Sequence, residues 1–442
     1  MELKGIIQKL RGEPIEYYLI DGETKLIRPE LYPHEKNKLP ILCETSDKLP
    51  SEKGFTSGFR STIKVYDEYI VKLKGIGIPF KGVRPIYREN TIYTYYFTKE
   101  FIGTGQLIWG FMDINEAEKE VENMLMLKDL NIPSPEPIGI GLYEKIKLLE
   151  MQNRYELANK IASGEREEIL RLIEKSEKIV KGACVFYRNI NDIRVDEILY
   201  GLLIPKIEKI INVKEVKAYL KWLGSSCGYN LRLLHDNGII HGTILDPSGM
   251  GIYTNSHLAN HVVGFDKTYI TDFHLTRKLS GKELEKMKLE EYYALWHVMN
   301  PLPSAEKFVF HQVKRTTILN AQEILSQIHT PEGFQMFDEI LSLHGGYYKP
   351  INVYEEFTES IIDGIEYGYN RLKIYEVEAK LKKKMLMALI ILKNELIEMY
   401  GMPKGMERGR EAISIIMDMK KINEKDISKN INEIKRKIEE LF

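Results

Sequence analysis

The sequence has little cysteine, no long apolar run and almost no net charge. Three cysteines occur in 442 residues, Cys43, Cys184 and Cys227, far apart and with no CxxC pair. That usage argues against a zinc knuckle or a disulfide framework and fits small buried hydrophobes in a reducing compartment. The longest apolar run, Met385 to Leu392, is too short to span a bilayer, and the opening MELKGIIQKLRGEP is too polar for a signal peptide. A formal net charge of −1 gives no global pull toward nucleic acid or an anionic membrane. Neither the Lys382-Lys383-Lys384 run nor the aromatic run Tyr93 to Phe97 amounts to a nucleic-acid surface. These absences predict a cytoplasmic protein whose partners include neither membrane nor nucleic acid.

What remains is an ordinary globular composition, 43% hydrophobic and 29% charged, in a chain long enough for two or three domains or lobes. Residues 1–50 read as an N-terminal β-hairpin extension, with Ile15 to Ile20 leading into Asp21-Gly22. Residues 51–188 are strand-rich, with a hairpin turning at Asp67-Glu68 between Ser61–Tyr66 and Tyr69–Leu73. One helix, Asn115 to Leu130 with Asn115 as its cap, stops before Ile132-Pro133-Ser134-Pro135. A charged helical insertion, a helix pair, follows at about 144–181, and then the strand Ala183–Tyr187.

Residues 189–300 open with a helix over Asp192–Ile211, kinked near Pro205, and a long helix over Val213–His235. Residues 301–442 read as a helical C-terminal extension. Its last stripe, Ile427, Ile431, Ile434, Ile438 and Leu441, is one helix face, suited to a docked core contact or an oligomer seam. The fold class is therefore α+β: a β-rich N-lobe and an α-helical C-lobe with a cleft between them.

The chemistry gathers in Leu234 to Leu275. His241 follows Ile239-Ile240, Asn260 precedes Val262-Val263, and Asp272 comes just after Tyr269-Ile270. Polar groups at the ends of short buried strands are held rigidly enough to be aimed at a ligand. Asn260 and Asp272, one strand out and one strand back, offer hard oxygen ligands for Mg²⁺, with Mn²⁺ as a substitute. In the strand-rich region Lys72 and Lys74 share a face, and Glu120 lies on the helix with Glu116 one turn earlier. One hairpin upstream, Gly54, Ser57 and Gly58 in GFTSG supply small residues and a hydroxyl for a phosphate loop, or for an ordinary turn. His257 and His261 are four apart with no third ligand at hand, which argues against zinc.

This ordered series resembles the protein-kinase-like superfamily, which includes eukaryotic-type kinases and phosphotransferases of the aminoglycoside and choline type. LHDNGIIHG at Leu234–Gly242 resembles the entry to that family's catalytic loop, Asn260 and Asp272-Phe273 its metal-binding pair, and EKEVENMLMLKDLNIPSPEPIG at Glu118–Gly139 its regulatory helix. The resemblance spans residues 54–275. It implies ATP and Mg²⁺ as cofactors, Lys72 holding phosphate with Glu120 as its partner, adenine contacts along Phe186, Tyr187 and Arg188, a structural role for His241, and a protein or small-molecule acceptor.

One departure matters. The position that the family fills with a base-supplying Asp ahead of its metal-binding Asn holds Asn255 here, and an amide takes no proton near neutral pH. Between Gly242 and Asn255 lies an inserted ILDPSGMGIYT, in which Asp246 is the sole carboxylate. Asp246 could serve as the base; so could His257, whose imidazole titrates in the useful range. The third reading is nucleotide binding without phosphorylation, as in AMP transfer or a pseudokinase-type scaffold.

Overall fold

The structure, a computed structural model, describes residues 3–45, 48–58, 60–77, 85–98, 106–108, 110–151, 165–204, 207–245, 252–256, 258–279, 290, 360, 376–400 and 424–441. The chain divides into two compact units. One comprises Met1–Leu130 with Pro135–Asp192, the other Asn131–Ser134 with Ile193–Phe442.

The first unit is one large sheet with helices against it. Helix α1 (Leu3–Arg11) buries Ile6, Ile7 and Leu10. Strands β1 (Ile15–Asp21), β2 (Glu23–Leu26), β3 (Lys38–Ile41), β4 (Glu44–Thr45), β5 (Ser51–Thr56), β6 (Ser61–Val65), β7 (Ile70–Lys74), β8 (Ile86–Arg88), β9 (Thr91–Thr98) and β10 (Gln106–Ile108) follow. Helix α2 (Ile114–Asp129), β11 (Glu136–Met151), α3 (Arg166–Lys175) and β12 (Ile179–Asn189) complete the unit. The sheet order is β3-β1-β5-β6-β7-β12-β11-β9-β8-β4, with β10 on β9 and β2 on β11.

Residues 1–50 are therefore no separate extension. They begin with a helix, and β1 sits inside the sheet between β3 and β5, with Ile15 opposite Gly54. Residues 144–151 of the supposed helical insertion are also strand. β11 runs to Met151, pairing first with β2 as far as Leu142 and then with β9 from Ile146, and its register with β12 shifts between Tyr143 and Ile146. Among the described residues of 144–181 a single helix, α3, occurs. Charge misled there, because the solvent face of a strand carries Glu and Lys as readily as a surface helix does.

Alternation along β7 decides where the polar face lies. Val71 and Leu73 enter the core with Tyr17, Leu39, Ile41, Phe111, Ile138 and Phe186, so Lys72 and Lys74 lie on the opposite face. α2 packs on β11 and β12 through Ala117, Val121, Met124 and Leu127, with Glu120 on that same buried side. Its cap is Asp113, whose carboxylate accepts from Asn115 N at 2.9 Å, and not Asn115.

In the second unit, the described residues of 193–211 hold a short helix, α4 (Val195–Leu199), and 3₁₀ turns at Tyr200–Leu203 and Ile207–Lys209. α5 (Val213–Asp236) is capped by Asn212. Six short strands then form three pairs: β13 (Ile239–Ile240) with β18 (Arg277–Lys278), β14 (Thr243–Leu245) with β15 (Ile252–Thr254), and β16 (His261–Val263) with β17 (Thr268–Ile270).

Helix α6 (Ala379–Tyr400) buries every residue from Met385 to Leu392 against α4, α5, the turn at Tyr200–Leu203 and α7 (Glu424–Glu439). Burying each of these Leu, Ile and Met side chains contributes about 1.5–3 kcal/mol, which makes α6 central to the core formed by the described residues of this unit. Ile431, Ile434 and Ile438 of α7 are buried, so the terminal stripe is a docked face. Lys382 stands over the Trp222 ring at 4.4 Å and Lys384 bonds Glu215 at 2.7 Å, so two of the three consecutive lysines serve packing within the unit. Among the described residues no helix is long and apolar enough to cross a membrane.

Candidate functional site

Two polar clusters stand out, one in each unit. In the first, β7 places Lys72 and Lys74 side by side, both buried. Lys74 Nζ donates to both oxygens of Glu120, at 2.8 and 2.6 Å, and Glu120 is 1% exposed. Lys72 is not Glu120's partner: its Nζ lies 3.2 Å from Asp192 Oδ1. A two-residue step along a strand carries the side chain about 7 Å, enough to take it from one carboxylate to another. Glu116 is held by Arg60, whose Nη2 donates to it at 2.6 Å.

Asp192, just beyond β12, gathers a wider set. Arg11 Nη2 donates to its Oδ2 at 3.1 Å and to its carbonyl at 2.6 Å, and Ser57 Oγ donates to the same Oδ2. The end of α1, the β5–β6 turn and β7 are thus tied to one buried acid. Ser57 is buried there and Gly58 is exposed in the turn. Gly54 belongs to strand β5 and not to the turn. A Cβ on it would come within 2.4 Å of Thr62 Oγ1 and 3.0 Å of the Ile63 carbonyl oxygen, so its small size serves strand packing.

Phe186, Tyr187 and Arg188 lie inside β12, flanked by β7 on one side and β11 on the other. Their backbone N–H and C=O groups face ladders, which leaves no edge for an adenine there. The Phe186 ring meets Tyr32 edge-on at 4.9 Å, and the Arg188 guanidinium covers Tyr69 at 4.2 Å. The strand ends at Asn189, so a chain edge open to a ligand would begin beyond it.

The second cluster is built around Glu290, fully buried. Its carboxylate accepts from His241 N at 2.9 Å and Gly242 N at 2.8 Å, with His235 Nε2 at 3.1 Å. Burial alone would raise this carboxyl; the His235 hydrogen bond and charge outweigh it and hold Glu290 below the usual carboxylate range. Gly242 has φ +139°, and a Cβ on it would sit 2.5 Å from Leu275 Cβ, so only glycine lets the two segments meet.

Burial pushes the His241 imidazole down, which favours the neutral ring. Its Nε2–H donates to the carbonyls of Thr271, at 2.8 Å, and Asp272, at 3.1 Å. His241 thus hydrogen-bonds the segment that carries Asp272.

The β16–β17 hairpin brings Asn260 and Asp272 to its open end. His261 pairs with Ile270, and Thr271 N donates to the Asn260 carbonyl at 2.9 Å, so Asp272 lies one residue beyond that closing bond. Asp272 has φ +72°, a conformation that non-glycine residues seldom adopt. Its carbonyl takes two donors, His241 Nε2 and Asn255 Nδ2, the latter at 3.0 Å. Asn260 Nδ2 in turn donates to the Asn255 carbonyl at 3.0 Å. Asn255 is fully buried and links the two ligand candidates; its own Oδ1 has no hydrogen-bond partner among the described residues.

His274, not anticipated from the sequence, places Nδ1 2.9 Å from Asp272 Oδ1. Arg194 Nη1 donates to Thr271 Oγ1 at 2.6 Å and braces the same segment. The insertion between Gly242 and Asn255 forms the β14–β15 hairpin, and Asp246 and His257 lie outside the described residues.

Chemically, the first cluster fixes an ammonium in place and the second offers oxygen donors with one imidazole. No protein-family model and no curated protein matches this chain.

Proposed function

We propose that this chain is a divergent kinase-like protein that binds ATP with a divalent cation and transfers a group from it to an acceptor. The observation that carries the reading is the Lys74–Glu120 pair, a strand lysine clamped by both oxygens of a helix carboxylate in a buried setting. Transfer from ATP depends mainly on positioning and on neutralising phosphate charge. Lys74 is the phosphate-binding cation in this reading and Glu120 orients it. Asn260 and Asp272 hold the metal, and His241 with Glu290 keeps their segment in shape.

A second reading is favoured by Asn255. It stands where the family keeps its base, yet it is buried and its amide supports Asp272. Transfer of AMP, or nucleotide binding without transfer, needs no carboxylate at that point. Incubation with ATP labelled at the γ- or the α-phosphate separates the three outcomes. γ-label on an acceptor means phosphotransfer, α-label means adenylylation, and retained binding without transfer means a scaffold. Absence of metal-dependent ATP binding would sink all three.

A further inference from the structure

The divalent-cation site proposed above consists of an amide and a carboxylate, a set that suits Mg²⁺. The residue two positions after Asp272 changes that. We infer that His274 Nδ1 is a direct ligand of the cation beside Asp272, and that the site therefore prefers Mn²⁺ to Mg²⁺. This rests on the assignment of Asn260 and Asp272 as metal ligands.

Three observations support it. First, His274 Nδ1 and Asp272 Oδ1 are 2.9 Å apart. Two neighbouring donors on one octahedral ion, each about 2.1 Å from the metal and at right angles, are separated by about 3 Å, so binding requires little movement of either group. Secondly, both side chains keep some exposure, 13% for His274 and 27% for Asp272, so an ion can reach them. Thirdly, Asn255 Oδ1 is a buried acceptor with no hydrogen-bond partner among the described residues, on a side chain whose Nδ2 bonds the Asp272 carbonyl. Buried acceptors are rarely left unmet, and a metal-bound water is a donor that would satisfy it.

The preference follows from donor chemistry. Mg²⁺ takes oxygen almost exclusively and holds its waters tightly, whereas an imidazole nitrogen favours first-row transition ions. In the metal-free arrangement the His274 Nδ1–H donates to Asp272. On binding, that proton moves to Nε2 and the Nδ1 lone pair turns to the ion.

The test is pulsed electron paramagnetic resonance of Mn²⁺ bound to the full chain with ATP, comparing natural-abundance protein with protein carrying ¹⁵N-histidine. The expected result is nitrogen coupling that changes with the isotope and disappears in His274→Ala. Calorimetry should show Mn²⁺ affinity falling about tenfold in that variant with Mg²⁺ affinity almost unchanged. The isotope comparison needs no variant, so a folding defect in His274→Ala leaves the test intact. Bound Mn²⁺ without histidine coupling, or coupling that persists in His274→Ala, overturns the inference and leaves the nucleotide reading standing. Coupling to Mn²⁺ in protein that binds no nucleotide upholds the inference and overturns the proposed function. No Mn²⁺ binding at all overturns the inference, and ATP calorimetry then decides the function separately.

Discussion

Lys74 holds Glu120 by both carboxylate oxygens, at 2.6 and 2.8 Å, while Lys72 on the same strand face reaches Asp192 at 3.2 Å. Two buried cations a strand step apart are thus committed to two different acids. Removing one member of a buried pair leaves the other charged and desolvated, which costs about 3–5 kcal/mol. The two pairs differ in what surrounds them. Asp192 also takes Arg11 and Ser57, a pattern that ties three chain segments together, and the Lys74–Glu120 bond links β7 to α2.

Lys74→Met and Glu120→Gln are each expected to destabilise the protein by about 3–5 kcal/mol, and the double variant by clearly less than their sum. Chemical denaturation checks this. Additive losses would mean that the pair is not coupled. In the same series Lys74→Met abolishes ATP binding by calorimetry, while Lys72→Met loses stability with a much smaller effect on binding.

Glu290 is the shared partner of three groups, the His235 ring and the amides of His241 and Gly242. Glu290→Ala strands two buried N–H groups and is expected to cost about 3 kcal/mol. Amide hydrogen exchange at His241 and Gly242 should accelerate selectively. Unchanged protection at both would show that another group holds this loop.

His34 gives the acid limb of stability a definite window. Its side chain is buried between the Tyr17 and Tyr32 rings, at 5.9 and 5.6 Å, and burial pushes its imidazole down to about 4. The folded pKa is below the unfolded value, so the unfolded chain takes the proton first as pH falls. The stability is fully present above about pH 6.5 and is lost between there and about pH 4, in total on the order of 3 kcal/mol. His34→Phe removes that slope. Urea denaturation at stepped pH reads it directly, and an identical acid slope in the variant would contradict the assignment.

The elements that rest on periodicity were readable in the sequence. The α2 helix, the Val213–Asp236 helix, the β6–β7 hairpin and the strand pair bringing Asn260 toward Asp272 all follow from apolar spacing and turn residues. Choices between equivalent neighbours were not. Lys72 and Lys74 satisfy the same alternation, and only the position of α2 on the sheet assigns Glu120 to Lys74. Asp113 and Asn115 are both good caps, and the fold selects the former. Glu290 lies 48 residues from Gly242, so no local pattern could announce it. His274 was legible as a histidine beside Asp272, but its contact depends on the left-handed backbone at Asp272.

The proposed metal-dependent nucleotide site at Asp272 is tested by calorimetric titration of ATP into wild type and Asp272→Asn, each with and without Mg²⁺ or Mn²⁺. Asparagine tolerates the φ of +72° and can still accept from His274, so the variant should melt at the wild-type temperature. Wild type should bind ATP only with the divalent ion, and Asp272→Asn should lose that metal dependence. Wild-type protein that binds no ATP with either metal, or a variant that binds metal–ATP as well as wild type, would contradict the proposed site.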